Sequence, residues 1–166
     1  MFISLFFIVI LLVILTFVWP PDSPWSPWWR TNKIVATKAC KLADISKKDT
    51  VYELGSGDGE FILTAATEFH SKKAIGIEID HTRFLIASLK KRIRGVDNAF
   101  FIRKDFKQVN LSGANVVYLY LVPAVIERIL PKLKKELKPG TRVISYRYKM
   151  PLPNGKKVDE LYLYKI

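Results

Sequence analysis

A glycine-rich turn after a short apolar strand is the feature that most constrains the fold of this chain. Residues 51–61 read VYELGSGDGEF, so three glycines at alternate positions separate a strand pattern from a helical one. Glycine permits sharp turns and close approach of the backbone to a bulky ligand, and Glu53 adds a carboxylate near the end of the strand. The stretch is therefore typical of a strand, turn and helix that hold a nucleoside cofactor.

The spacing of the glycines separates this turn from two other nucleotide-binding turns. Gly59 comes one residue too early for the fingerprint G-x-G-x-x-G, and no Lys-Ser or Lys-Thr pair follows as in a phosphate loop. The turn resembles motif I of the class I S-adenosylmethionine (SAM) methyltransferases. That resemblance implies that Glu53 lies near the methionine moiety of SAM. It also implies that the turn residues contact the cofactor, namely Gly55, Ser56, Gly57, Asp58 and Gly59.

Strand and helix patterns alternate after the turn. Strands are predicted at 50–54, 73–79, 99–104, 114–121 and 141–148, and helices at 60–69, 82–93 and 124–137, the last broken at Pro131. A helix capped by Thr31 precedes them, and 161–166 is expected to be an edge strand that pairs antiparallel with its neighbour. The alternation predicts an α/β, Rossmann-like, doubly wound and mostly parallel sheet. Since only about a dozen residues follow 148 before the last strand, we expect fewer than the usual seven strands.

Acidic residues follow the second and third predicted strands, where an open parallel sheet binds its ligand. Glu78 is placed to accept hydrogen bonds from ribose hydroxyls, with Asp80 as the alternative. At the third strand end, Asp105 and Phe106 resemble the pair that methyltransferases use against the adenine ring. Three carboxylates at successive strand ends favour SAM as the cofactor, and NAD is the main alternative.

The first nineteen residues are almost uninterruptedly apolar, with only Ser4 and Thr16 as polar exceptions. A helix of that length, at about 1.5 Å per residue, nearly spans a hydrocarbon core of roughly 30 Å. A transmembrane anchor is therefore expected; a cleaved signal peptide is the alternative, but a basic start and a small-x-small cleavage site are absent. Because basic residues follow the run from Arg30 onward, the domain should face the cytoplasm. The expected organisation is an anchor at 1–19, a Pro/Trp linker at 20–30 and a domain at 31–166.

The charge and the reactive residues limit other functions. A net charge of +12 is compatible with nucleic acid, an acidic substrate or an anionic membrane surface, and for an anchored protein the membrane is favoured over nucleic acid. The single Cys40 excludes an internal disulfide framework and a cysteine-based zinc cluster. His70 and His81 lack partners at metal-ligand spacing, so we expect no metal.

The fourth strand should deliver the residues beside the transferred methyl group. It reads VYLYLVP and lacks the Asn/Asp-Pro-Pro-Tyr/Phe motif of methyltransferases that act on bases and glutamine. Tyr120 is the candidate catalytic residue, through its hydroxyl or its ring, although a core tyrosine is an open alternative. Tyr146 and Trp29 are further candidates for the wall of a channel that admits the acceptor.

Residues 30–153 resemble the small membrane-anchored protein-lysine methyltransferases that act on the ATP synthase c-subunit and the adenine nucleotide translocase. The resemblance is carried by motif I, a lysine-rich helix that ends in LKPG, and the closing run TRVISYRYKMPLP. It implies methylation of a lysine in a membrane protein. A methyltransferase of a lipid, quinone or isoprenoid and a non-catalytic SAM-binding membrane scaffold are the alternatives.

Overall fold

The computed structural model describes residues 5–12 and 29–166. Residues 5–12 are helical, and no helix in the described ranges is long and apolar enough to cross a membrane. Apart from residues 5–12, 29 and 30, the predicted anchor and linker lie outside the described residues.

Seven strands form one sheet in the described part of the chain, in the order β3-β2-β1-β4-β5-β7-β6. Strands β1 to β5 pair in parallel, and β7 runs antiparallel to β5, as the alternation predicted. The strand order reverses beside β1, which lies between β2 and β4, and such a switch point opens a crevice at the carboxyl ends of the strands. The strands are β1 Thr50–Leu54, β2 Lys73–Glu78, β3 Ala99–Arg103, β4 Val116–Leu119, β5 Arg142–Tyr146, β6 Lys156–Val158 and β7 Leu161–Lys165.

Helices cover both faces of the sheet. Alternate residues of β4 enter two separate core clusters, with Tyr118 on one face and Val117 and Leu119 on the other. Helices α1 and α2 pack on the Tyr118 face, and α4 packs on the opposite face. The helices are α1 Lys33–Leu42, α2 Glu60–Thr67, α3 His81–Ile93 and α4 Pro123–Glu136, with a short 3-10 helix at Phe106–Gln108. The doubly wound prediction is confirmed in this arrangement.

Two predicted helix details were wrong. Asn32, not Thr31, caps α1 by accepting a hydrogen bond from the Val35 N–H at 2.9 Å. The Thr31 hydroxyl instead lies 3.0 Å from the Tyr118 hydroxyl in the core, a long-range contact that local sequence cannot show. Helix α4 continues through Pro131. Because Pro131 and Glu127 are both exposed, water can replace the hydrogen bond that proline removes from the Glu127 carbonyl.

The expectation of fewer than seven strands was also wrong. The additional strand, β6, has only three residues, all of them exposed, so it carries no apolar alternation. It pairs with β7 through a tight turn in which Asp159 adopts a positive φ of 52°. The last strand, β7, therefore lies between β5 and β6 and is not the edge strand that was predicted. Just before β6, Gly155 lies against the buried ring of Tyr164, whose hydroxyl accepts a hydrogen bond from the Met150 N–H at 2.9 Å. These contacts complete the sheet at its β7–β6 edge.

Replacing Gly155 with Ala should destabilise the β7–β6 edge of the sheet. A Cβ at Gly155 would lie 2.3 Å from Cε1 of the buried Tyr164 ring, so the ring or the backbone must move. Such overpacking costs typically about 1–3 kcal/mol, which urea denaturation would measure as a lower free energy of unfolding. Gly113→Ala is the matched control, because a Cβ there meets nothing within 4 Å. Equal stabilities of the two variants would contradict this packing.

Candidate active site

The glycine turn follows β1 at the switch point of the sheet. Gly55, Gly57 and Gly59 have φ values of 76°, 52° and 79°. This is the left-handed backbone conformation, which glycine adopts readily and which is strained for residues that carry a side chain. The N–H groups of Gly55 and Ser56 both donate to the Ile77 carbonyl at 2.9 Å, which fastens the turn to β2. The backbone conformation of the turn therefore explains why glycine occupies three alternate positions.

Two glycines also allow close packing behind the turn. A Cβ at Gly59 would lie 2.4 Å from Cζ of Phe101, and one at Gly76 would lie 2.7 Å from the Ser56 hydroxyl. Neither contact is possible for a real Cβ without a shift of its neighbours. The turn is thus wedged between β2 and the Phe101 ring, and its shape is fixed by packing as well as by φ.

Glu78 ends β2 directly beside the turn. One carboxylate oxygen accepts from the Gly57 N–H at 2.8 Å, and the other accepts from the Asp80 N–H at 2.9 Å. Each oxygen retains a lone pair, so a ribose diol can still be bound. Asp80, the alternative candidate, caps α3 by accepting from the Arg83 N–H at 2.8 Å. The structure thus brings Glu78 to the turn and employs Asp80 as a helix cap, while the ribose contact stays a prediction.

Glu53 is a buried carboxyl group with an unsatisfied oxygen. Among the described residues, its Oε2 has no hydrogen-bond partner, and neither does the nearby Ser56 hydroxyl. Burial, with the charges of Asp58 and Glu78, raises the pKa of Glu53 well above its ordinary value. Buried polar atoms normally have partners, so orphaned ones beside a ligand-binding turn fit a polar ligand. The amino-acid and ribose groups of SAM are ligands of that kind.

Asp58 has the opposite electrostatic environment. Burial would raise its pKa, but hydrogen bonds from Lys90 and Arg30 and their positive charges hold that pKa below its ordinary value. Lys90 Nζ lies 2.8 Å from Oδ2, and the Arg30 guanidinium contacts the same oxygen. Asp58 therefore ties the turn to α3 and to the segment that precedes α1. Its predicted contact with the cofactor stays a prediction.

Asp105 and Phe106 lie at the carboxyl end of β3, on the same edge of the sheet as the turn. Oδ1 of Asp105 accepts from the Lys107 N–H at 2.9 Å and so caps the short 3-10 helix. The ring of Phe106 is half-buried against the core cluster that α4 covers. Both residues are partly exposed, and their adenine contact stays a prediction.

Aromatic rings gather at the carboxyl ends of β4 and β5. Tyr120 lies 4.5 Å from Tyr146, 5.9 Å from Trp29 and 6.4 Å from Tyr148, measured between ring centroids. We call these four residues the aromatic cluster. Three of them were predicted from the sequence, whereas Tyr148 was missed although it stands beside Arg147 in the same closing run. Burial raises the pKa of Tyr120, so its hydroxyl stays protonated at neutral pH.

A cation already lies over the aromatic cluster. The Arg147 guanidinium carbon is 5.7 Å from the Tyr120 centroid and 5.5 Å from the Tyr146 centroid, within cation–π range. Arg147 has a φ of 64°, and its N–H donates to the Glu160 carbonyl at 2.7 Å. Its Nε also lies 3.4 Å from the Glu160 carboxylate. The arrangement shows that these rings accept a positively charged side chain.

Replacing Glu53 with Gln should change how stability depends on pH. Because the folded pKa is raised above 4.5, the stability contributed by protonated Glu53 is complete below that pH. It is lost as pH rises toward the folded pKa. Relative to the parent, Glu53→Gln should therefore gain up to about 1.4 kcal/mol in free energy of unfolding per pH unit in this window. Urea denaturation from acidic to neutral pH measures this difference.

Asp58→Asn serves as the comparison of opposite sign. The lowered pKa of Asp58 gives stability that is present above 3.8 and is lost as pH falls through the folded pKa. The asparagine variant should thus be less stable than the parent at neutral pH. Parallel pH profiles for the parent and Glu53→Gln would show that the Glu53 carboxyl is not held in its protonated form.

Comparison with known proteins agrees with this geometry. Residues 53–157 match the family described as the ANTKMT methyltransferase domain. A protein-lysine N-methyltransferase of Saccharolobus islandicus is 40% identical over 136 residues, which cover 81% of this chain and 84% of that relative. The adenine nucleotide translocase lysine N-methyltransferase of mouse is 32% identical over 69% of this chain. The chain spans about half, 52%, of that mouse protein's length.

A solved structure supports the cofactor. An RNA methyltransferase from Salinibacter ruber, in complex with S-adenosylhomocysteine, superposes with a TM-score of 0.78 at 33% identity, covering 83% of this chain and 94% of that one. The predictions of the methyltransferase class and of SAM as cofactor are confirmed. This chain belongs to the ANTKMT methyltransferase domain family and is a SAM-dependent methyltransferase.

Proposed function

We propose that the enzyme methylates the side-chain amine of a lysine in a membrane protein. The observation that carries this proposal is the aromatic cluster, which holds the guanidinium of Arg147 over Tyr120 and Tyr146. A lysine side chain has the same character, an apolar stem that ends in a cation. Relatives named as protein-lysine methyltransferases support the same acceptor.

The residues of the turn and of the cluster divide the work of methyl transfer. SAM supplies, when bound, a methyl group activated on a sulfonium. Glu53, Ser56 and Glu78 offer acceptors that would hold its polar groups in a fixed orientation. The rings of the cluster would align the lysine stem and exclude water, which are the contributions that an in-line displacement requires. The lysine nitrogen would take the methyl group that the sulfonium gives up, and the proton that the methylated amine then loses would pass to solvent.

Arg147 would help to prepare the amine for this reaction. Methyl transfer needs a neutral lysine, and a nearby positive charge together with desolvation lowers the pKa of an amine. Arg147 supplies that charge beside Tyr120, whose protonated hydroxyl could orient the nitrogen. Neither residue needs to act as a general base under this proposal.

Membrane attachment is a further part of the proposal. Residues 1–19 form the apolar run from which we infer an anchor, and basic residues after it favour a cytoplasmic domain. Relatives are named after the adenine nucleotide translocase and the ATP synthase c-subunit, which supports a membrane-protein acceptor. An anchor would hold the active site at the depth where such acceptors emerge from the bilayer.

RNA is the second candidate acceptor, because a solved relative at 33% identity is described as an RNA methyltransferase. A lipid or quinone is also compatible with an anchor. One experiment separates these acceptors. The full chain is incubated with methyl-labelled SAM, membranes and total RNA, and the label is then measured in protein, lipid and RNA fractions. We expect label in protein, recovered as methyl-lysine after hydrolysis, whereas label in RNA or lipid alone would refute the proposal.

A tyrosine variant tests the role of the cluster in the same assay. Tyr120→Ala should lower transfer to protein by about 100-fold, because misplacement of the reacting atoms is costly. Affinity for S-adenosylhomocysteine should stay at the parent level. Tyr162→Ala is the matched control, since Tyr162 also lies under a cation, Lys157 at 5.4 Å, but stands on β7 outside the cluster. Equal losses in the two variants would contradict a specific role for Tyr120.

A further inference from the structure

Three consecutive residues ahead of α1 each contact a different part of the molecule. The ring of Trp29 lies 5.9 Å from that of Tyr120, measured between centroids, within the aromatic cluster. The Arg30 guanidinium contacts the carboxylate of Asp58 in the glycine turn. Thr31 follows, with its hydroxyl in contact with a core side chain. We call these three residues the entry strap. It joins the cluster at the ends of β4 and β5 to the turn after β1.

The entry strap is fastened to parts of the domain that are themselves buried. The Thr31 hydroxyl lies 3.0 Å from the hydroxyl of Tyr118, a fully buried residue of β4 whose ring stacks on Phe61 of α2 at 4.1 Å. The carboxylate that Arg30 contacts is also nearly buried, since the Asp58 side chain is only 5% exposed. A charge-assisted hydrogen bond to such a group is stronger than an ion pair in open solvent. The strap therefore has a defined position at this edge of the sheet.

The strap lies on the side of the sheet that carries the unsatisfied Glu53 carboxyl. Glu53 of β1 and Tyr118 of β4 are register partners. Because alternate residues of a strand share a face, Glu53 lies with Val51 and Tyr118 on the face that α1 and α2 cover. Glu53 is 4% exposed, and its Oε2 is without a hydrogen-bond partner among the described residues. The bond between Thr31 and Tyr118 thus brings the strap to the side where a buried acceptor awaits a polar ligand.

We propose that the entry strap closes over the amino-acid end of the cofactor site, and that Arg30 is a positioning residue which holds the strap there through Asp58. The turn and the cluster are the places that the cofactor and the acceptor would occupy, and the strap runs between them. A closed strap would exclude water and hold the cluster at a fixed distance from the turn. Because S-adenosylhomocysteine alone reports on this closure, its failure is distinguishable from a failure of the lysine acceptor.

A second ion pair, at the start of α1, offers a matched comparison. The Lys33 amine lies 2.9 Å from the Glu68 carboxylate, and the two side chains are exposed by 68% and 35%. Glu68 follows the carboxyl end of α2, whereas the glycine turn precedes the start of that helix. Exposed pairs of this kind contribute little to stability. Lys33 is therefore a cation close to the strap in sequence whose carboxylate partner lies away from the turn.

Calorimetric titration of the full chain with S-adenosylhomocysteine, in detergent, tests the role of Arg30. Arg30→Ala should bind about tenfold more weakly, because the strap and the turn would then have to be ordered when the ligand binds. Arg30→Lys keeps the positive charge and should regain most of the affinity, and Lys33→Ala should bind as the parent does. Parent affinity in Arg30→Ala, or an equal loss in Lys33→Ala, would overturn the proposal.

Trypsin cleavage of the parent chain tests the closure without any substitution. Cleavage after Arg30 requires the strap to leave the domain, so saturating S-adenosylhomocysteine should slow it by about tenfold or more. Cleavage after Lys47, which is exposed in the turn before β1 at the opposite edge of the sheet, should keep its rate. The masses of the fragments identify each cleaved bond. Unchanged cleavage after Arg30, or equal slowing at both bonds, would overturn the proposal, because equal slowing reports only a general stabilisation of the domain.

Discussion

The hydrogen bond from the Gly57 N–H to the Glu78 carboxylate is the interaction on which the active site depends. It joins a left-handed glycine backbone after β1 to the end of β2, and the second Glu78 oxygen holds the Asp80 N–H at the start of α3. One buried carboxylate therefore sets the positions of the turn, of the strand end and of the following helix. Phe101 supports the turn from behind, where Gly59 and Gly76 leave room for its ring.

The carboxylates around this turn are held in contrasting states. Glu53 is buried with an unsatisfied oxygen, and its pKa is raised, whereas two cations hold the pKa of Asp58 low. Asp58 thereby stabilises the fold, while the burial of Glu53 with an unsatisfied oxygen costs stability. Buried polar atoms left without partners cluster at functional sites, where strain and desolvation are maintained by the surrounding structure. The glycine turn is thus a preorganised site.

The sequence predicted those parts of the fold in which local pattern and tertiary structure agree. The turn, the mostly parallel pairing of the strands and the position of Glu78 at a strand end followed from periodicity and from the rule that ligands bind at strand ends. Long-range contacts were beyond such reasoning: Thr31 bonds to Tyr118, and Tyr148 joins the aromatic cluster only because β4 and β5 are neighbours. Strand β6 was missed because three exposed residues have no amphipathic pattern.

Calorimetric titration with S-adenosylhomocysteine tests the central role of Glu78 most directly. Glu78→Ala removes two acceptors of backbone N–H groups and the predicted ribose contact, so the affinity should fall by about 100-fold or more. Glu127→Ala, an exposed carboxylate on α4, is the matched control and should bind as the parent does. Circular dichroism should show both variants folded. A folded Glu78→Ala that binds with parent affinity would contradict the role of Glu78 in holding the turn and the ribose.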